Sequence, residues 1–249
     1  MVDYLFKSKK SFGTKRFLLK KGTSKLVERR KKIDKTYICA YMDILTKYFD
    51  DFSEKQIQQY AALKNLYEEW NQKINVISRK DMEHFYEHHV LHSLAIATQF
   101  NFPDGYEVLD LGAGGGFPGI PLAIFFPEVH FHLADSINKK LKVVEAVVDA
   151  IELKNITVQH SRAEDIKDKK FDIVVSRAVA QLKDLLYWSK PLLKKKPIDQ
   201  PKKLTGLICL KGGDLSQEIV ESGCRPHVWE IDKIFDEEFF KEKYILNCT

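Results

Sequence analysis

From residue 53 the apolar positions recur at helical spacing. Ile57, Tyr60, Leu63, Tyr67, Trp70 and Ile74 fall on one face, the stripe of a helix that packs inward. Ser53 stands three residues before Gln56, the capping-box start of such a helix. Trp70 belongs to the stripe and is read as core, not as a surface for stacking bases. A second helix is expected from near Asp81 to about Phe100. Beyond residue 103 the pattern changes. Short strand-like runs occupy 107–111, 130–134, 157–160, 171–176 and 204–210, with helical stretches between them. Strands alternating with helices imply βαβ units, a parallel sheet and a binding crevice at the carboxyl ends of the strands. The expectation is an α/β fold with an N-terminal helical layer.

The first strand runs into Asp110-Leu111-Gly112-Ala113-Gly114-Gly115-Gly116. Glycine has no Cβ to hold a ligand away and tolerates positive φ, so the backbone here passes close to something. A dinucleotide fingerprint can be read from Gly114 to Gly119. It opens late relative to the strand end, and Pro118 and Pro121 crowd the helix that should follow. A carboxylate two residues before the first glycine would repel a phosphate and attract a cationic ligand. Read from Asp110 the pattern is D-x-G-x-G-x-G, which resembles motif I of class I S-adenosylmethionine methyltransferases. Asp135 ends the second strand, 23 residues after Gly112. It is placed to accept hydrogen bonds from a ribose diol, or to cap the following helix. Ser161-Arg162-Ala163-Glu164-Asp165 follows the third strand, Arg177 ends the fourth and Lys211-Gly212-Gly213 ends the fifth. Every candidate residue thus sits where a parallel sheet places its crevice.

The run LDLGAGGGFPGIPLAI, with SRAED, VSRA and LKGG downstream, resembles the bacterial small-subunit ribosomal RNA guanine-N7 methyltransferase family, also called glucose-inhibited division protein B. The N-terminal region agrees in Trp70-Asn71, Asn75, Arg79-Lys80-Asp81 and His89-Val90-Leu91-His92-Ser93-Leu94, and the resemblance runs from about Met42 to the C-terminus. At His92 the chain departs from it, since the family commonly has Asp before Ser-Leu. The resemblance implies a class I, Rossmann-like sheet, S-adenosyl-L-methionine as cofactor, and 16S ribosomal RNA or the small ribosomal subunit as partner. It implies that Gly112, Gly114 and Phe117 line the cofactor, with Asp110 near its amino-acid end. Asp135 would meet the ribose and Ala163 and Glu164 the adenine edge. Arg177 matches a cofactor-site position and is also a candidate to reach RNA. Arg162 and Lys211 are candidates to hold the substrate phosphate or base, against the plainer readings of a surface charge and a strand-end charge.

Guanine N7 carries a lone pair and no proton, so its methylation requires no general base. The fourth strand ends in Ser176-Arg177-Ala178, not in the Asn/Asp-Pro-Pro-aromatic motif of exocyclic-amine methyltransferases. No cysteine stands there as a nucleophile for carbon methylation. His84, His88 and His92 have the i, i+4 spacing of a two-histidine metal site, but no further ligand motif completes it and the Glu of H-E-x-x-H is absent, so no metal is expected.

Charge divides the chain. Residues 1–35 carry a net charge of +10 and residues 36–249 carry −5. The basic segment reads as an RNA-attracting arm or as an incidental extension from an upstream translation start. The expected organisation is a flexible basic extension over 1–41 and a methyltransferase domain over 42–249, with the helical layer at 42–102 and the Rossmann-like core at 103–249. Residues 194–203, KKKPIDQPKK, read as a basic surface loop. The longest apolar run, residues 120–126, contains Pro121 and is far too short to span a bilayer. The opening residues lack a secretory pattern. Cys39, Cys209, Cys224 and Cys248 have no C-x-x-C pairing and read as free thiols of a cytoplasmic protein. An enzyme acting on a small molecule and a noncatalytic RNA-binding module are the rival classes. The first predicts activity without RNA, and the second RNA binding without cofactor.

Overall fold

The structure, a computed structural model, describes residues 42–177, 179–195 and 204–249. The basic segment 1–41 and most of the basic run 194–203 lie outside these residues.

Helix α1 (Asp43–Tyr48) precedes α2 (Glu54–Asn71), which starts where the capping box was expected. The Ser53 side chain accepts from the Gln56 backbone N–H, and the Gln56 side chain accepts from the Ser53 N–H. Gln56 also donates to the carbonyl of Ile124, 2.8 Å away, so the cap ties α2 to the layer beneath it. Tyr60, Leu63 and Tyr67 are buried, while Trp70 is half-buried against the core.

The second expected helix is divided. Ser78 caps a short α3 (Arg79–Glu83), a π-helical turn covers Tyr86–Leu91, and α4 runs over His92–Gln99. His84, at φ −105° and ψ 29°, ends α3. The wide π turn leaves carbonyls free for side chains: His88 O accepts from Arg177 and His89 O from the Ser93 hydroxyl.

Strands β1 (Glu107–Leu111), β2 (His130–Asp135), β3 (Ile156–His160), β4 (Ile173–Arg177) and β5 (Gly206–Gly212) pair in parallel. Between them run α5 (Gly119–Phe125), α6 (Asn138–Ala150) and α7 (Leu182–Ser189). The full sheet is ordered β3-β2-β1-β4-β5-β7-β6. Strand β7 (Lys243–Cys248) lies antiparallel between β5 and the edge strand β6 (His227–Glu230), and α8 (Ser216–Ser222) follows β5. Strands β6 and β7 lie outside the five strand-like runs of the sequence. β6 is a short, half-exposed edge strand with little apolar alternation.

Both faces of the sheet are covered. Val108, Phe131, Leu133, Ile173, Val175, Ile208 and Leu210 join the core that also holds the N-terminal helices, α5 and α6. Leu109, Leu111, Val174, Leu207 and Cys209 face the core that holds α7. Side chains alternate along a strand. Asp110 and Arg177 therefore share the face of Val108 and Val175, toward the helical layer. Lys211 shares the opposite face with Leu207 and Cys209.

Candidate functional site

The turn after β1 is held by backbone. The N–H groups of Gly112 and Ala113 both donate to Ala134 O at the end of β2, at 2.9 and 3.1 Å. Gly114, at φ +55°, donates its N–H to Asp135 Oδ2 at 2.8 Å, and a Cβ placed there would point into open space, its nearest neighbour 4.0 Å away. At Gly119 the reason for glycine is closeness: a Cβ would lie 2.7 Å from Asp110 Oδ2, the atom that accepts the Gly119 N–H. The helical layer braces the turn from above. Tyr67 donates its hydroxyl to Gly115 O. Asn71 clamps residues 76–77 by accepting from Val76 N–H and donating to Ile77 O, at 2.8 and 2.6 Å.

A cleft of about 500 Å³ opens beside this turn at the carboxyl ends of the strands. Gly112, Asp135, Arg162, Ala163 and Glu164 line it, with Trp188 and Val179. Both Asp135 oxygens accept from backbone, Oδ2 from Gly114 and Oδ1 from Ile137. That fixes the carboxylate at the lip and leaves lone pairs for further donors. Arg162 and Glu164 are exposed at the cleft, and a short 3₁₀ turn (Ala163–Asp165) follows Arg162. The residues present fit a nucleoside: the Asp135 carboxylate for a diol, Gly112 in the wall and open space beside Gly114.

Asp110, Phe117 and Arg177 gather on the helical-layer side of the turn. Asp110 is fully buried, and burial pushes its carboxyl up to about 7, against the Gly119 hydrogen bond and the positive charge of Arg177. Arg177 donates to His88 O at 3.2 Å and to His89 Nδ1 at 3.0 Å, and its guanidinium lies 5.0 Å from the centre of the Phe117 ring. Burial pushes it down to about 10, with Asp110 opposing, so it remains a cation at neutral pH. His89 packs 5.0 Å from Phe117, ring to ring. Burial and Arg177 push it down to about 3, so it is neutral.

Lys211 stands apart from this group. It is buried on the other face of the sheet, where its ammonium meets Glu218 and the Ala180 carbonyl. Glu218 also accepts the Leu182 N–H at the start of α7. The lysine thus fastens the segment after β4. Among the described residues His84, Glu87 and His88 each bring one possible ligand atom within 4.8 Å of the others. His88 is engaged already: Nδ1 lies 3.0 Å from Asp81 Oδ1, and its ring is stacked between His84 and Phe239 at 4.9 and 3.8 Å. His92 is buried between Phe239 and Phe240 and is kept neutral by burial. Tyr67, Asn71 and His89 were absent from the sequence-predicted site. Asn71 and His89 fall in the motif blocks of the N-terminal region, but the spacing alone does not say which of their neighbours turn toward the glycine turn.

The family described as rRNA small subunit methyltransferase G matches residues 54–237 of the chain. A ribosomal RNA small subunit methyltransferase G of Phocaeicola vulgatus is 53% identical over 209 residues, covering 84% of this chain and 98% of that protein. One of Bacteroides thetaiotaomicron is 53% identical over 205 residues, covering 82% and 98%. One of Flavobacterium johnsoniae is 48% identical over 206 residues, covering 83% and 97%. Among solved structures, a SAM dependent methyltransferase from Aquifex aeolicus superposes with a TM-score of 0.50 at 14% identity, covering 69% of this chain and 98% of that one. That likeness concerns the fold, the class I Rossmann-like sheet.

Proposed function

The chain belongs to the rRNA small subunit methyltransferase G family, and from that premise we propose that it methylates N7 of a guanosine in 16S ribosomal RNA, with S-adenosyl-L-methionine as donor. The observation that carries the reading is the cleft. Gly112, Asp135, Ala163 and Glu164 line it at the carboxyl ends of parallel strands, and Asp110 and Arg177 flank the same glycine turn.

When bound, S-adenosylmethionine supplies an electrophilic sulfonium methyl. Everything else is positioning by this chain. Asp135 would hold the ribose, Ala163 and Glu164 the adenine edge, and Gly112, Gly114 and Phe117 the centre of the cofactor. Asp110 and Arg177, on the helical-layer side, would hold its amino-acid end. Arg162, exposed at the cleft, is placed to meet RNA. N7 has no proton to remove, so no side chain is needed as a base. Alignment of methyl and N7 can supply about 7–11 kcal/mol of the barrier. The helical layer and the sheet share one core, so we take residues 42–249 as one working unit. We place the protein in the cytoplasm, with the ribosomal subunit; no helix among the described residues is long and apolar enough to cross a membrane.

Mass-spectrometric mapping of small-subunit rRNA from a deletion strain tests the reading. The expected result is loss of one N7-methylguanosine, restored by the intact gene. An unchanged methylation map contradicts it.

A further inference from the structure

Two side-chain atoms beside the glycine turn are sealed from solvent without a hydrogen-bond partner, Nε2 of His89 and Oδ1 of Asp110. The first of these has a defined chemical state. Arg177 Nη2 lies 3.0 Å from His89 Nδ1. A guanidinium can only donate, so Nδ1 is the acceptor and the ring hydrogen sits on Nε2. The imidazole is neutral, because burial and the adjacent cation oppose a second proton. His89 therefore holds a fixed N–H donor with no acceptor among the described residues, and such an atom is costly to leave unpaired.

The neighbour gives the direction of the missing partner. Arg177 has a positive charge, yet among the described residues the acceptors it reaches, His88 O and His89 Nδ1, are both neutral; it also lies over the Phe117 ring, and the carboxylates of Asp110 and Asp81 act on it only through space. A partly buried cation beside an unpaired N–H calls for an oxygen that is both acceptor and anion. A base carbonyl accepts a hydrogen bond but does not answer the charge. A carboxylate does both, with two oxygens for two donors. Across the same turn, Asp110 Oδ1 is buried and unpaired, and with its carboxyl ionised it is the complement of an ammonium. The pair of unpaired atoms thus has the polarity of an α-amino acid end, and Phe117, which packs on both Arg177 and His89, belongs to the glycine turn itself.

We propose that His89 is a cofactor-binding residue: its Nε2–H, from the N-terminal helical layer, donates to the carboxylate of the methionyl end of S-adenosylmethionine, beside Arg177. This rests on the reading of the chain as a user of that cofactor, not on which RNA base is methylated. It makes the π-helical turn part of the cofactor site.

The binding arm of the test is calorimetric and needs no RNA, and a separate assay reads methyl transfer to small-subunit RNA. Full-length protein is titrated with S-adenosylhomocysteine, which carries the amino-acid end, and with 5′-methylthioadenosine, which lacks it. His89→Asn keeps an acceptor at the position of Nδ1 and removes the Nε2 donor, whereas His89→Gln restores an N–H near Nε2. We expect His89→Asn to weaken S-adenosylhomocysteine tenfold or more and methylthioadenosine less than twofold, with His89→Gln recovering most of the loss. In the wild type, the His89 Nε2–H resonance shifts on adding S-adenosylhomocysteine and stays in place with methylthioadenosine, a readout that survives if a variant does not fold. Equal losses for both ligands would make His89 a structural residue and overturn the proposal. Unchanged affinity with slowed methyl transfer would hand the donor to the RNA base and overturn it too. Absence of methyl transfer to RNA in the wild type, with the ligand difference intact, would refute the RNA substrate and leave the role of His89 standing.

Discussion

Asp110 lies beneath α5 with one oxygen on the Gly119 N–H and the other unpaired. Burial raises its carboxyl from 3.8 to about 7, so the folded chain holds a proton that the unfolded chain releases near pH 4. Between those values the unfolded state binds fewer protons, and stability falls as pH rises. Asp110→Asn keeps an acceptor for Gly119 and carries no charge. In the absence of ligand, it gains stability relative to wild type as pH rises from 4 to 7, by up to about 4 kcal/mol, and the difference then levels off. His89 runs the other way: its folded value of about 3, against 6.5, removes stability as pH falls through that window, in both proteins alike. Chemical denaturation of wild type and Asp110→Asn at several pH values reads the difference. A gap that is flat from pH 4 to 7 contradicts the burial assigned to Asp110.

At the level of elements, strand alternation sorts the two strand-end cations. Arg177 faces the helical layer, where it meets His88, His89 and Phe117. Lys211 faces α8 and is paired with Glu218. Arg177→Ala should cut methyl transfer strongly and weaken S-adenosylhomocysteine; it also leaves His88 O and His89 Nδ1 without their donor and should lose about 1–3 kcal/mol of stability. Lys211→Ala leaves Glu218 without its cation and loosens the start of α7; it should lose about 1–3 kcal/mol of stability, read by denaturation, while retaining cofactor affinity. The reverse assignment of effects would show that the faces have been misread. The parallel strands, the capping box of α2 and the order of site segments were legible because each has a local signal: apolar runs, Ser53 with Gln56, glycines after a strand. The division of the second helix was not. It depends on carbonyls of the π turn reaching Arg177, nearly ninety residues away in sequence. Nor was β7, whose place between β5 and β6 is a pairing decision made at long range. The engagement of Lys211 with Glu218 was hidden for the same reason, since a strand end says nothing of which helix covers it.

For the whole molecule, charge and core separate. One hydrophobic core joins Met42, Leu45 and the helices of the N-terminal layer to the sheet, whereas the net +10 of residues 1–35 precedes it. Removing residues 1–41 should leave melting temperature and cofactor affinity unchanged. If that segment is an RNA arm, its removal weakens binding to small-subunit RNA and flattens the dependence of affinity on salt, because fewer counterions are released. A marked fall in melting temperature contradicts an independent body beginning at about residue 42.

The central claim is that this cleft carries methyl groups to ribosomal RNA. The most direct measurement is transfer of isotopically labelled methyl from S-adenosylmethionine to small ribosomal subunits from the deletion strain, followed by nucleoside mass spectrometry. Label is expected in 7-methylguanosine of 16S rRNA, at one position, with a rate that shows no steep basic limb across pH because N7 needs no deprotonation. Cofactor binding without label in RNA, or label in a different nucleoside, would contradict it.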